Sequence, residues 1–246
     1  KFTGAIYKPA YYFQTDDQDE FEKLSQNNLY NLMRRLLVKR FESSFGSFKQ
    51  SIQNFKRINE SILIFINKSN KYFLDRYFIE KIYELDPEEI EKELLVYVDK
   101  LNNDPKNKKT TKIYYLDDFD NKNIFINDIE SDINLFDKIL KDLDNLKLTE
   151  NDPKSDTLIK KLQSQLDNDP NRKIVIFSEY IDTVKYLSEK LNKIFDGKVL
   201  SIAGDLKSKI DDINSNFDAT YKKQDNKYDI LLSTDKLSEG YNLNRA

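Results

Sequence analysis

The sequence predicts an α/β protein in two parts, a mainly helical region over residues 1–150 and a parallel β-sheet flanked by helices over residues 151–246. Three observations carry this. Apolar residues from Leu29 to Ile62 recur mostly three or four apart, the spacing of a helix with one buried face. Asn151-Asp152-Pro153 punctuates the chain, and the pattern changes after it. Beyond that point three short apolar runs begin 25 and 31 residues apart with amphipathic stretches between them. That is the length of a βαβ unit, for which right-handed crossovers are expected.

Composition sets the outer limits. A chain of 246 residues holds one large or two modest domains, and 16 Phe with 15 Tyr supply material for a core. Charged residues are 34% and nearly balanced, so the net charge of −3 selects no partner. The distribution is uneven: residues 1–85 carry 14 basic and 10 acidic groups, residues 86–150 carry 10 and 17, and residues 151–246 carry 16 and 16. An acidic middle repels a phosphate backbone and is expected to face solvent or a protein. The absence of Cys and His excludes disulfides, thiol nucleophiles, thiolate zinc sites, His general bases and Ser-His-Asp triads. No apolar run approaches the ~18 residues of a membrane span and the start does not read as a signal peptide, so a cytoplasmic location without membrane contact is expected.

In chain order, residues 1–25 read as irregular and without an assignable role, with Pro9 beside a Tyr7, Tyr11, Tyr12, Phe13 cluster. From about Asn27 one helical stripe runs through Met33, Leu36, Leu37, Phe41, Phe45, Phe48, Ile52, Phe55 and Ile58, and continues past Phe65 and Tyr72 to about Ile82. Asp86-Pro87-Glu88-Glu89 has the form of an N-cap, a first-position proline and a negative first turn, and opens a helix to about Leu101. Asn102–Thr111 reads as a loop, Ile113–Leu116 as a short strand, and Asp128 or its neighbourhood as the start of a helix through Ile133, Phe136, Ile139, Leu140 and Leu143. After Pro153 come a helix (Lys154–Leu166), a strand (Ile174–Phe177), a helix with Val184, Leu187, Leu191 and Ile194 on one face, and a strand (Val199–Ile202). A helix with Leu206, Ile210, Ile213 and Phe217 and a strand (Ile230–Leu232) complete the order. A continuous apolar run such as Ile230–Leu232 suits a strand buried on both faces.

Parallel strands deliver their ends to one sheet edge, where such folds place their sites. Here the ends are Ser178-Glu179-Tyr180, Gly204-Asp205 and Ser233-Thr234-Asp235, with Glu239-Gly240 in the loop that follows. Hydroxyls, backbone N–H groups and a loop glycine suit phosphate recognition, and the acids suit ribose hydroxyls or a coupling role. Singly, each is also an ordinary turn or cap residue.

Against this background the motifs become specific. Ile174–Tyr180 (IVIFSEY) is similar to motif IV, and Leu231–Leu243 (LLSTDKLSEGYNL) to motif V, of the second RecA-like lobe of superfamily-two helicases of the SWI/SNF translocase group, motif V in the form bacterial members show. Asp152-Pro153-Lys154 resembles the lead into that lobe, and Leu32–Phe45 (LMRRLLVKRFESSF) the basic helix carried between lobes. The resemblance implies an incomplete RecA-like lobe over 151–246 and an interlobe helical region over 1–150. It implies Ser178, Glu179 and Thr234 on the nucleic-acid side, Thr234 against a backbone phosphate. Asp235, Glu239 and Gly240 would face the nucleotide cleft and couple ATP state to nucleic-acid grip, and Asn242 and Leu243 would shape the loop. It implies ATP and Mg²⁺ as cofactors of the intact protein, DNA as partner with RNA the alternative, and a first RecA-like lobe as the other half of the cleft. No G-x-x-x-x-G-K-[ST] occurs, Gly197-Lys198 lacks the earlier glycine, and Asp19-Glu20 follows no apolar strand. Arg245 stands too close to motif V for the motif VI arginine finger. The expectation is therefore a fragment that does not hydrolyse ATP alone and holds no metal or catalytic residue of its own.

Residues 31–57 carry seven basic groups and one acid. At 100° per residue Arg35 and Lys39 fall opposite the apolar stripe, Arg40 falls into it, and Arg34 lies at its edge. A charge in that sector needs a partner, which makes Arg40 and Arg34 candidates for interlobe pairing with carboxylates. The Phe41, Phe45, Phe48, Phe55 series is expected in the core rather than as a base-stacking surface. Two other readings stay open on sequence alone: a non-enzymatic helical plus α/β module that binds a protein, and a doubly wound domain for a small phosphate ligand or nucleotide.

Overall fold

The computed structural model describes residues 1–13, 20–75, 89, 92–97, 99, 111–203, 206–237 and 240–246. The chain forms two compact units, Lys1–Arg40 with Lys49–Leu146, and Phe41–Phe48 with Lys147–Ala246. Its architecture is the expected α/β class, a mainly helical first part followed by a parallel sheet with flanking helices.

In the first unit α1 (Glu20–Ser43) buries Gln26, Leu29, Met33, Leu36 and Arg40, and α2 (Phe45–Ser69) buries Ile52, Phe55, Ile58, Ile62 and Ile66. The single long stripe read from sequence is thus two helices. The Ser44 hydroxyl accepts from Ser47 N–H at 3.0 Å, as an N-cap does, and restarts the helix. The stripe also stops short of Ile82. Asn70 takes a left-handed φ of 54° and its N–H reaches Ile66 O at 2.8 Å, which closes α2. Lys71–Asp75 then forms β1, antiparallel to β2 (Thr111–Tyr115), with Tyr72 opposite Tyr114. The expected short strand near Ile113 is therefore present, whereas the expected helix through Tyr72 is a strand. Residues 92–97 are helical; the Asp86-Pro87 start signal and the 102–110 loop lie outside the described residues. The next helix, α3 (Lys122–Asn145), begins six residues before Asp128, its first turn closed by Ile124 N–H to Asn121 O at 2.9 Å.

The first thirteen residues have a packing role that sequence did not show. Two 3₁₀ turns, Ala5–Tyr7 and Pro9–Tyr12, bury Ala5, Ile6, Tyr7, Pro9 and Ala10. Tyr72 donates its hydroxyl to Ile6 O, and Ala10 N–H donates to Gln26 Oε1 at 2.9 Å. Two carboxylates one turn apart on α3 complete the attachment. Asp128 accepts from Tyr12 Oη at 2.7 Å, and Asp132 accepts from Thr3 N–H at 2.7 Å, Thr3 Oγ1 at 2.8 Å and Gly4 N–H at 2.7 Å. Gly4 sits at φ 64° with the Tyr30 ring 2.3 Å from where a Cβ would be, so both conformation and space require glycine.

The second unit opens with α4 (Pro153–Asn168), capped by Asp152, whose side chain accepts from Lys154 N–H at 3.0 Å. It continues with β3 (Ile174–Ser178), α5 (Ile181–Ile194), β4 (Val199–Ile202), α6 (Ile210–Phe217) and β5 (Ile230–Thr234). The sheet order is β3-β5-β4, all parallel. β5 is central and buried at all five positions. Its Ile230 and Leu232 pack with Leu162, Val184, Leu187 and Leu191 from α4 and α5, and Leu231 packs with Ile213 and Phe217 from α6. That alternation explains the unbroken apolar run. No helix among the described residues is long and apolar enough to cross a membrane.

Burial raises the Asp132 carboxyl above its ordinary 3.8, against the hydrogen bonds from Thr3 and Gly4 that lower it. A raised folded-state pKa gives a stabilisation complete below 3.8 and lost as pH rises through the folded value. Relative to Asp132→Asn, which does not titrate, the opening free energy of residues 1–13 from native-state hydrogen exchange is therefore expected to fall as pH rises above that point. A pH-independent difference between the two proteins contradicts this.

Candidate functional site at the sheet edge

The site grows from the parallel register. Ser178 ends β3 directly opposite Thr234 at the end of β5, and Ile202 ends β4 opposite Ser233. One edge thus presents Ser178 and Thr234 on neighbouring strands. Ser178 Oγ accepts from Tyr180 N–H at 3.4 Å, a turn that carries the chain from β3 into α5. Glu179, at that turn, is exposed. Thr234 is 8% exposed, and Asp235 is exposed at the start of a 3₁₀ turn, Asp235–Leu237, whose Leu237 anchors into the core. Gly240 has φ 96° with open space where a Cβ would stand, so conformation alone favours glycine there. Glu239, Gly204 and Asp205 lie outside the described residues.

The opposite edge is built differently. Lys173 is buried, and its ammonium donates to Tyr228 O at 2.5 Å and to Asp229 Oδ1 at 3.0 Å, while Lys198 lies 3.5 Å from Asp229 Oδ2. Charge pairing closes the beginnings of the strands; hydroxyls and an exposed carboxylate mark their ends.

In the first unit Arg40 is 1% exposed, whereas Arg34, Arg35 and Lys39 are exposed. Of the phenylalanine series, Phe55 alone is fully buried. Phe41 is 50% exposed, and its ring meets Phe45 and Phe48 edge-on at 5.4 and 5.1 Å. The expected continuous core therefore gives way, at the helix break, to a partly exposed aromatic cluster.

Sequence reasoning gave Arg245 no positive role. In the structure its guanidinium donates to Ser215 O at 3.0 Å, Asp225 O at 2.9 Å and Asn226 Oδ1 at 2.5 Å, and its N–H reaches Phe217 O at 3.1 Å. Asn244 accepts from Ala219 N–H at 2.7 Å, and Asn242 donates to Asp218 at 3.1 Å. Tyr241 and Leu243 pack on the α6 side of the sheet. The segment after Gly240 is thereby fastened to the end of α6 and the loop beyond it. The planar fork of an arginine suits this three-acceptor role; no local sequence signal announces it, because the acceptors are 19 to 30 residues away.

Among the described residues no group of His, Cys, Asp or Glu could hold a metal ion. Residues 154–246 match the family model of the helicase conserved C-terminal domain. No curated protein and no solved structure matches the chain. The match falls within the second unit, from the second residue of α4 onward, and takes in β3, β4 and β5.

Removing the guanidinium with Arg245→Ala leaves three backbone or amide acceptors without it. The expected outcome is faster hydrogen exchange across Asp218–Asp229 and Gly240–Ala246, with a loss on the order of 1.5–3 kcal/mol for hydrogen bonds from a charged donor, while β3 keeps its protection. Unchanged exchange in both segments contradicts the fastening role.

Proposed function

We propose that residues 151–246 serve as part of the second RecA-like lobe of an ATP-dependent DNA translocase or helicase of the SWI/SNF type, and that residues 1–150 are its interlobe helical region. The observation that carries the reading is the helicase C-terminal match over 154–246, within which β3 and β5 place Ser178 and Thr234 side by side at one sheet edge.

In this reading the edge meets the nucleic-acid backbone. The Thr234 hydroxyl donates to a phosphate oxygen, and Ser178 and Glu179 border the same strand, setting register rather than sequence preference. Asp235, Glu239 and Gly240 lie toward the nucleotide cleft, where ATP and Mg²⁺ are held between this lobe and a first RecA-like lobe. A lobe motion driven by ATP state would then change the grip on the strand, an instance of domain closure around a ligand. Arg34 and Arg40 belong to the interlobe part of the proposal. DNA is the partner proposed, RNA the alternative for the same phosphate chemistry, and the cytoplasm the location.

The 246 residues contain no P-loop, whose backbone and lysine cradle the nucleotide's phosphates. The proposal accordingly assigns hydrolysis to this lobe paired with a P-loop lobe, and none to these residues alone.

The test is nucleic-acid-stimulated ATPase activity with the P-loop lobe joined to this chain. Thr234→Val is expected to raise the half-saturating DNA concentration about tenfold, the equivalent of ~1.5 kcal/mol for one hydrogen bond to a charged group, with unstimulated turnover retained. Glu239→Ala is expected to lower stimulated turnover with half-saturation little changed. If neither substitution moves either quantity, the motor reading fails.

A further inference from the structure

The chain passes between its two units three times, after Arg40, after Phe48 and after Leu146. Two segments of the second unit therefore carry every crossing: the α1–α2 corner, Phe41–Phe48, and the connector that begins at Lys147. Both reach the same stripe of α5, formed by Thr183, Tyr186 and Lys190 at three- and four-residue spacing.

Tyr186 takes both segments at once. Gly46, the second residue of α2, stands against its ring so closely that an added Cβ would lie 2.4 Å from Cδ2 and 2.6 Å from Cγ. The hydroxyl of the same residue donates to Thr149 O at 2.7 Å and lies 3.2 Å from Asp152 Oδ2, in the connector. The flanking residues repeat the arrangement. Ser43 Oγ and Thr183 Oγ1 are 2.8 Å apart, and Ser44 Oγ lies 3.5 Å from the same hydroxyl. Lys190 donates to Glu150 O at 2.9 Å and to Ser155 Oγ at 3.0 Å, with its ammonium 5.0 Å from the centroid of the Tyr186 ring. Lys154, at the start of α4, donates to Glu42 O at 2.8 Å and joins the two segments directly. Burial and the neighbouring Asp152 charge raise the Tyr186 pKa.

We infer that Tyr186 is a positioning residue, a two-sided clamp whose ring fixes the α1–α2 corner and whose hydroxyl fixes the connector, so that one side chain sets where every chain crossing leaves the second unit. The two contacts separate in one direction only. The ring contact needs glycine at position 46 and no hydroxyl, so loss of the hydroxyl leaves it in place. The connector contact needs the hydroxyl, and a ring displaced by a larger residue at position 46 carries the hydroxyl with it. The inference goes beyond the motor reading and does not depend on it.

The test is hydrogen exchange by mass spectrometry on the whole chain as wild type, Tyr186→Phe and Gly46→Val. Tyr186→Phe is expected to speed exchange about tenfold in the connector, residues 147–152, while residues 41–48 stay at wild-type rates. Gly46→Val is expected to speed exchange in 41–48 and, because a displaced ring carries its hydroxyl, in the connector as well. Wild-type rates in the targeted segment of either variant overturn the clamp. So does a uniform rise through α5 and the sheet in both variants, because that is what a residue with only a general packing role would give.

Discussion

The second unit depends on one constraint: β5 must be covered on both faces and bonded on both edges. Its three aliphatic side chains are each inaccessible to solvent, and complete burial of such a side chain contributes about 1.5–3 kcal/mol. Ile230 and Leu232 require the α4 and α5 layer, and Leu231 requires α6 on the other side. Bonding on both edges then places β3 and β4 alongside, and the βαβ connections make all three parallel. Once that register is set, Ser178 and Thr234 have nowhere to be but next to each other, at the edge where the strands end.

The same constraint separates the two ends of the sheet chemically. At the beginnings of the strands a nearly buried lysine is neutralised by Asp229 and a carbonyl, which satisfies a charge that would be costly alone. At the ends the chain turns away through short polar segments: the Ser178-centred turn into α5 and the 3₁₀ turn at Asp235. The segment beyond Gly240 then runs over the α6 face to its attachment through Arg245. The described residues before position 238 are thus anchored by the buried strand β5 and by Leu237, and those after Gly240 by Arg245.

How much of this was legible in the residues differed by region, for physical reasons. The sheet was legible because burial on both faces leaves an unbroken apolar signature, and because Asp152-Pro153 is a cap whose side chain and ring act locally. The edge position of Ser178 and Thr234 followed from parallel strand ends alone; their roles stay with the proposed function. The helical region was harder. Phe41, Phe45 and Phe48 keep helical spacing straight across Ser44, so periodicity runs through a break made by one hydroxyl. Phe65 and Tyr72 do the same across Asn70, where a left-handed residue ends α2 and alternation takes over. The attachments of residues 1–13 depend on Asp128 and Asp132, more than a hundred positions away, and nothing near Thr3 or Tyr12 announces them. Tyr186 and Arg245 were hidden for the same reason: their partners are fixed by tertiary placement, while each reads locally as an ordinary helix or loop residue.

The central claim is that the strand-end edge, and not the opposite one, meets nucleic acid. Hydrogen exchange of the chain with and without saturating duplex DNA at low salt, where phosphate contacts are strongest, tests it most directly. The account predicts slowed exchange at residues 178–181 and 233–237, with residues 172–173 and 226–229 unchanged. Protection confined to the latter pair of segments, or DNA binding that leaves both edges unprotected, would contradict it.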